Sequence, residues 1–410
     1  MIRECFSFWT GHPSDFELWV RLGYAVTHGG NPYGALPAVP GLSFANVFGY
    51  QNGPTIAYLP FWPLLTGLIY LTYSAVGWDN RFFYYLLLKQ PIIFGDVGLA
   101  YLMFSFVWAK KPGRNALWVL SFWLLTPYTI IISGIWGMFD SIAISFVFLS
   151  VMSAGQARRV LWEAVAIFAK SIPIIYAAPA TMTRLRNVWY ALLSMSLAAL
   201  LSLITFLMMR WPLSTATATL ASTAFKGGWS MSAWDAWSYM YYLRFLPPPS
   251  AQAYETAGII WVPALILFTS VAVKRFGTRG EYGLIQSLLV CTLTFLIFKA
   301  QITEQYALYF FAFGAIDVAV WNQNRKRTLL ASVAVALIYL IMNNYFLIRF
   351  LSPVYPAFTN FENSLSATIG PIRYAVTFLT GTLFTCLNIK YLTDVLRKGQ
   401  LQASNDLRET

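Results

Sequence analysis

Ala191-Leu-Leu-Ser-Met-Ser-Leu-Ala-Ala-Leu-Leu-Ser-Leu-Ile-Thr-Phe-Leu-Met-Met209 runs without a single charge. As a helix it would be roughly 28 Å long, close to the thickness of a bilayer's hydrocarbon layer. A transmembrane β-strand would alternate polar and apolar residues, and this stretch does not. Similar runs recur from residue 55 to the last part of the chain. Hydrophobic residues make up 58% of the 410, charged residues only 11%, and mean hydropathy is +0.58, so the sequence predicts an all-α polytopic membrane protein.

The net charge of +12 does not point to nucleic acid. Lys110-Lys111-Pro-Gly-Arg114, Arg158-Arg159, Arg184-Leu-Arg186, Lys274-Arg275, Arg325-Lys-Arg327 and Arg397-Lys398 sit between apolar segments, where cytoplasmic loops carry their positive charge. The expected spans are then 55–76, 81–109, 116–133, 139–152, 160–183, 191–209, 257–273, 284–298, 306–320, 329–348 and 372–389. Two of them, 81–109 and 160–183, break the in-out alternation if each crosses once. Both carry a central polar break, Lys89-Gln-Pro91 with Asp96 in one and Lys170-Ser-Ile-Pro173 in the other. Proline interrupts a helix and lysine avoids the bilayer centre. Read as hairpins of two short helices, they restore the alternation and raise the count from about 11 to about 13, which bounds the expectation at about 11–13 crossings. Residues 1–410 form one transmembrane domain on this view, with an extracytoplasmic first loop at 11–54, an aromatic extracytoplasmic loop at 210–254 and a cytoplasmic tail at 393–410.

Some chemistries are excluded early. Cys5, Cys291 and Cys386 imply no disulfide framework, and the two histidines, His12 and His28, have no ligand spacing. There is no phosphate-binding glycine loop for a nucleotide.

Carboxylates are scarce here, so Asp15-Phe-Glu17 stands out. Two readings are open. Ser14-x-x-Glu17 has the form of a capping box opening a surface helix, with Glu17, Arg21 and His28 on its polar face and Gly29-Gly30 closing it. The other reading is a general base outside the membrane. Lys299-Ala-Gln-Ile-Thr-Glu304-Gln305-Tyr306 is either a hydrophilic loop or a seat for a lipid-linked phosphate. Lys89 and Lys170 either snorkel or bind phosphate. Trp234-Asp-Ala-Trp-Ser-Tyr-Met-Tyr-Tyr-Leu-Arg244 is an interfacial aromatic helix or a sugar platform, with Arg244 able to reach a phosphate.

Taken in order, these pieces resemble the GT-C membrane glycosyltransferases, which use polyprenyl-phosphate sugars. The resemblance rests on the acidic first loop with Gly30-Asn-Pro-Tyr33 and Tyr58-Leu-Pro60, on Lys89-x-Pro91 with Gly95-Asp96, on Ile135-Trp-Gly-Met-Phe-Asp140-Ser141, and on Lys170-Ser-Ile-Pro173 with Glu304-Gln305-Tyr306. It covers roughly residues 11–320 and is nearest to the mannosyltransferase that adds the first mannose of GPI anchors, and to its archaeal relatives. It implies an inverting hexosyl transfer, of mannose above all, from a polyprenyl-phosphate donor to a glycan or lipid acceptor at the extracytoplasmic face of a prokaryotic, archaeal-type cell membrane. Asp15 would be the base. Lys89, Lys170 and Lys299 would hold the donor phosphate, Glu304, Gln305 and Tyr306 would line the donor pocket, and Glu17, Asp96, Asp140 and Arg244 would support them. The GPI enzyme has Asp-x-Asp where this chain has Asp15-Phe-Glu17, which leaves open a divalent metal held by these two residues. The family also has a first spanning helix, so an apolar run is expected ahead of Met1. The alternatives are a secondary transporter or flippase of sugars or lipid-linked sugars, and a non-catalytic subunit of a glycosylation complex.

Overall fold

The computed structural model describes residues 2–43, 56, 58–182, 184–217, 231, 259–300, 302–355 and 357–406, with side chains through 397. The described residues form helices and no strands. Five helices are long and apolar enough to cross a membrane: Arg81–Lys110, Leu185–Met209, Gly280–Phe298, Gln323–Asn343 and Ala357–Arg397. Arg114–Leu125 with Pro127–Trp136, bent by 46°, makes a sixth if the pair is taken as one span. Pro127, which cannot donate to the preceding turn, stands at the bend. Among the described residues this is fewer than the 11–13 crossings expected, in part because Phe61–Val76, Asp140–Met152, Ile172–Thr181, Trp261–Phe276 and Ala307–Val320 are short and because Arg81–Lys110 is a single helix.

Helix α1 (Ile2–Ser7) precedes α2 (Pro13–Thr27) and α3 (Phe61–Val76). The last two lie side by side and run the same way, with Trp19 on Trp62 and Val26 on Gly67. The span expected at 55–76 is thus a short helix leaning on the first-loop helix. The capping box is also corrected. Helix α2 starts at Pro13 with His12 as its N-cap, so Ser14 lies inside the helix and caps nothing. The predicted stop is present, as Gly29 takes a left-handed φ of 72° and Gly30 N–H donates to Ala25 O at 2.7 Å.

Helix α4 (Arg81–Lys110) overturns one hairpin. It continues through Pro91 for 30 residues. The charge that should have broken it is satisfied inside the protein: Lys89 Nζ donates to Thr10 O at 2.6 Å, Gly134 O at 2.8 Å and Ile135 O at 3.0 Å. Arg81 then lies at the opposite end from Lys110, beside Gly41 and Pro353. The other hairpin does form. Helix α8 (Gln156–Ala169) ends at Lys170, and Ile172–Tyr176 followed by α9 (Ala177–Thr181) folds back until the Gln156 side chain reaches Thr181 O.

The remaining helices are α5 (Arg114–Leu125), α6 (Pro127–Ile130), α7 (Asp140–Met152), α10 (Val188–Met209), α11 (Trp261–Phe276), α12 (Gly280–Phe298), α13 (Ala307–Val320), α14 (Lys326–Asn343) and α15 (Ala357–Asp406). All fourteen residues of α13 are buried, which makes it the centre of the bundle. The tail expected at 393–410 continues α15 as helix to Asp406. At one end of the bundle Lys110 pairs with Glu281, and Arg325 reaches Asp394 O at 2.7 Å. The candidate residues gather at the other end. Arg244 and most of the aromatic loop lie outside the described residues.

Candidate functional site

A cavity of about 410 Å³ opens at that second end. Asp15, Lys170, Lys299, Glu304, Gln305 and Tyr306 all line it, although they come from the start, middle and last third of the chain. The volume falls in the range usual for small-ligand sites.

Asp15 enters from the first turn of α2 and is 18% exposed. Its Oδ2 accepts a hydrogen bond from Trp136 Nε1 at 2.7 Å and lies 3.2 Å from His12 Nδ1. The His12 ring stacks on Trp136 with centroids 4.6 Å apart. Trp136 is placed by a π-helical turn, Ile131–Trp136, of a kind often found at functional sites. The next residue must be glycine: Gly137 has φ 91°, and a Cβ there would come within 2.6 Å of the Phe16 ring. Burial pushes the Asp15 carboxyl up, but the His12 contact, the Trp136 N–H and the Lys170 charge outweigh it, and it titrates below the ordinary carboxylate value. At neutral pH Asp15 is therefore ionised.

Lys170 sits at the turn of the hairpin, almost fully buried. Its Nζ pairs with Asp140 Oδ2 at 2.7 Å and lies 4.7–5.9 Å from the ring centroids of Phe139, Tyr58 and Tyr306. Asp140 thus supports Lys170 from the first turn of α7. Lys299 caps α12, with its ammonium 5.5 Å from the Trp261 ring centroid, and burial pushes it down to about 8. Tyr128 OH donates to Glu304 O at 2.5 Å, and Asn343 Nδ2 donates to Glu304 Oε1 at 2.7 Å. Gln305 Oε1 is buried and has no hydrogen-bond partner among the described residues.

Three expected residues lie elsewhere. Lys89 is fully buried and bonded to the carbonyls named above and to Thr10 Oγ1, so it clasps together the segments that lead into Asp15 and Trp136 instead of lining the cavity. Lys89→Met would leave those oxygens unpaired. It is expected to lower stability by about 2–4 kcal/mol, and a wild-type unfolding midpoint in detergent would remove the clasp role. Asp96 is paired with Arg3 and accepts from Trp123 Nε1 at 2.9 Å and Ser133 Oγ at 3.1 Å, which ties α1 to the bundle. Glu17 is buried against Arg21 at 2.5 Å, and Arg21 in turn donates to Leu36 O at 2.9 Å. Residues two apart on a helix point in different directions, so Asp15 and Glu17 cannot share an ion. Among the described residues no three His, Cys, Asp or Glu side chains form a metal cluster, and the donor set does not fit a divalent metal.

Sequence reasoning missed four contributors. His12 has no metal-ligand spacing to His28, and the signal in the sequence is its position three residues before Asp15. Asn343, Asn344 and Arg349 reach the cavity from beyond α13, and nothing local marks them. The backbone there is strained, with positive φ at Tyr345, Phe346 and Leu347. Comparison of the chain with models of known protein families finds no match, and comparison with curated proteins finds none either.

Proposed function

We propose that the chain is an inverting hexosyltransferase that moves a sugar, mannose first among candidates, from a polyprenyl-phosphate donor to a glycan or lipid acceptor at the extracytoplasmic end of the bundle. The observation that carries this is one cavity holding an ionised carboxylate together with two buried lysines, beside a membrane-spanning body. In the proposed step the acceptor hydroxyl attacks the anomeric carbon. The new C–O bond forms as the bond from the anomeric carbon to the phosphate oxygen breaks, and Asp15 takes the hydroxyl proton. The polyprenyl phosphate leaves with the electron pair, and Lys170 and Lys299 stabilise its charge. The attacking hydroxyl grows more acidic as its bond forms, so a weak base suffices. Gln305, which lines the cavity, would hydrogen-bond a sugar hydroxyl in this reading. No step needs a metal.

The direct test is transfer of radiolabelled mannose from a polyprenyl-phosphate donor by the full chain in liposomes. Absence of transfer from any polyprenyl-phosphate hexose would sink the proposal. The transporter or flippase alternative has one observation in its favour: Glu163 is fully buried and its two carboxylate oxygens have no partner among the described residues, as in some coupled carriers. Movement of the lipid-linked sugar without bond cleavage would favour it.

The proposal carries a pH dependence. Lys299 is charged below about 8 and neutral above it, while Asp15 is ionised from below its ordinary value upward. The expected kcat/KM is therefore flat through the weakly acidic and neutral range and falls above pH about 8. Lys299→Arg keeps its charge and should remove that fall. An unchanged basic limb in the variant would separate Lys299 from the donor phosphate.

A further inference from the structure

A second cavity, of about 340 Å³, lies at the opposite end of the bundle between the start of α5 and the α13–α14 junction. Helix α13 spans the two: Tyr306 precedes it at the first cavity, and Val318 lines the second, roughly 18 Å further along the helix. Arg114, Asn115, Trp118, Gln323 and Lys326 supply the polar and aromatic part of the wall. The Lys326 ammonium lies 4.9 Å from the Trp118 ring centroid.

Nearby basic residues are neutralised by the protein's own carboxylates, Lys110 by Glu281 at the surface and Arg325 by Asp317 in the interior. Among the described residues no carboxylate pairs with Arg114 or Lys326. The amides opening α5 also lack a side-chain cap. Two cations and an indole therefore line one hollow whose wall contains no carboxylate. One turn deeper on the same helix faces stand Leu117, 53% exposed, and Leu330, 42% exposed. A cationic rim above exposed leucines matches a phosphate headgroup with its acyl chains below, and free phosphate would have no use for the leucines.

We propose that this cavity seats the phosphate of an anionic phospholipid in the leaflet that the basic clusters assign to the cytoplasm, with Arg114 and Lys326 on the phosphate and the acyl chains along Leu117 and Leu330. The site is independent of the reaction proposed for the other end.

The test measures lipid binding to the purified full chain in detergent by native mass spectrometry, with phosphatidylglycerol, phosphatidylcholine and glycerol 3-phosphate as probes. Phosphatidylglycerol is expected to bind at least about tenfold more tightly than phosphatidylcholine, and glycerol 3-phosphate to compete only weakly. Arg114→Gln with Lys326→Gln should weaken phosphatidylglycerol about thirtyfold, and the exposed single change Arg114→Gln about fivefold. Arg184→Gln with Arg186→Gln, another exposed basic pair, should change it less than about twofold. Equal binding of the two lipids would overturn the site. So would an equal loss in the Arg184/Arg186 variant, or glycerol 3-phosphate binding as tightly as the lipid. If the double variant does not fold, the wild-type lipid comparison and Arg114→Gln decide.

Discussion

Asp15→Asn is expected to lower hexosyl transfer by about 10²- to 10⁴-fold while leaving the fold intact. The amide keeps the size of the carboxylate and can still accept from Trp136 Nε1, so the wall of the cavity is preserved. What is lost is the negative oxygen that accepts the hydroxyl proton. Donor binding should change little, because Lys170, Lys299 and the Glu304–Tyr306 turn are untouched. The result to look for is a fall in kcat with donor KM near wild type. Full activity in Asp15→Asn would remove Asp15 from the chemistry, whereas an equal rise in KM would make it a binding group. Glu17→Gln offers a contrast. It breaks the buried pair with Arg21 and should act on stability rather than on the chemical step.

Asp317→Ala is expected to produce the largest loss of stability, about 3–5 kcal/mol. Asp317 accepts from Arg325 Nη1 at 2.8 Å, Gln286 Nε2 at 2.6 Å, Asn322 Nδ2 at 2.7 Å and Tyr391 OH at 2.8 Å. These groups come from α12, the α13–α14 junction and α15, and all of them are buried. Removing the carboxylate strands the Arg325 guanidinium in a site that water does not reach. Glu281→Ala is the control, since it breaks only the partly exposed pair with Lys110 and should cost less than about 1 kcal/mol. Denaturation in detergent, followed by tryptophan fluorescence, measures both. Similar midpoints for the two variants would show that the network does not hold the helices together.

Much of the site could be read in the sequence because polar residues in an apolar chain need a reason to be there. Asp15, Lys170, Lys299 and Glu304-Gln305-Tyr306 were singled out on that ground and share one cavity. The same reasoning misplaced Lys89, Asp96 and Glu17. A polar side chain within the bundle can serve a ligand or its own protein, and residue type does not distinguish the two. Lys89 found backbone carbonyls, Asp96 found Arg3 and Glu17 found Arg21. Arg325 shows the same limit from the other direction. It belongs to a basic cluster of the kind that marks topology, yet it is nearly fully buried in the Asp317 network.

The sequence by itself determined the helical class, the longest apolar helices, the C-terminal end of α2 and the reversal at Lys170. These follow from hydropathy and from glycine and proline, which act within a few residues along the chain. Only the tertiary structure decided that α4 runs unbroken through Pro91, that residues 61–76 lean on α2, and that Asn343, Asn344 and Arg349 line the same cavity as Asp15. The physical reason is that a buried charge is stabilised by whichever oxygens the fold brings to it, and those oxygens lie tens to hundreds of residues away along the chain.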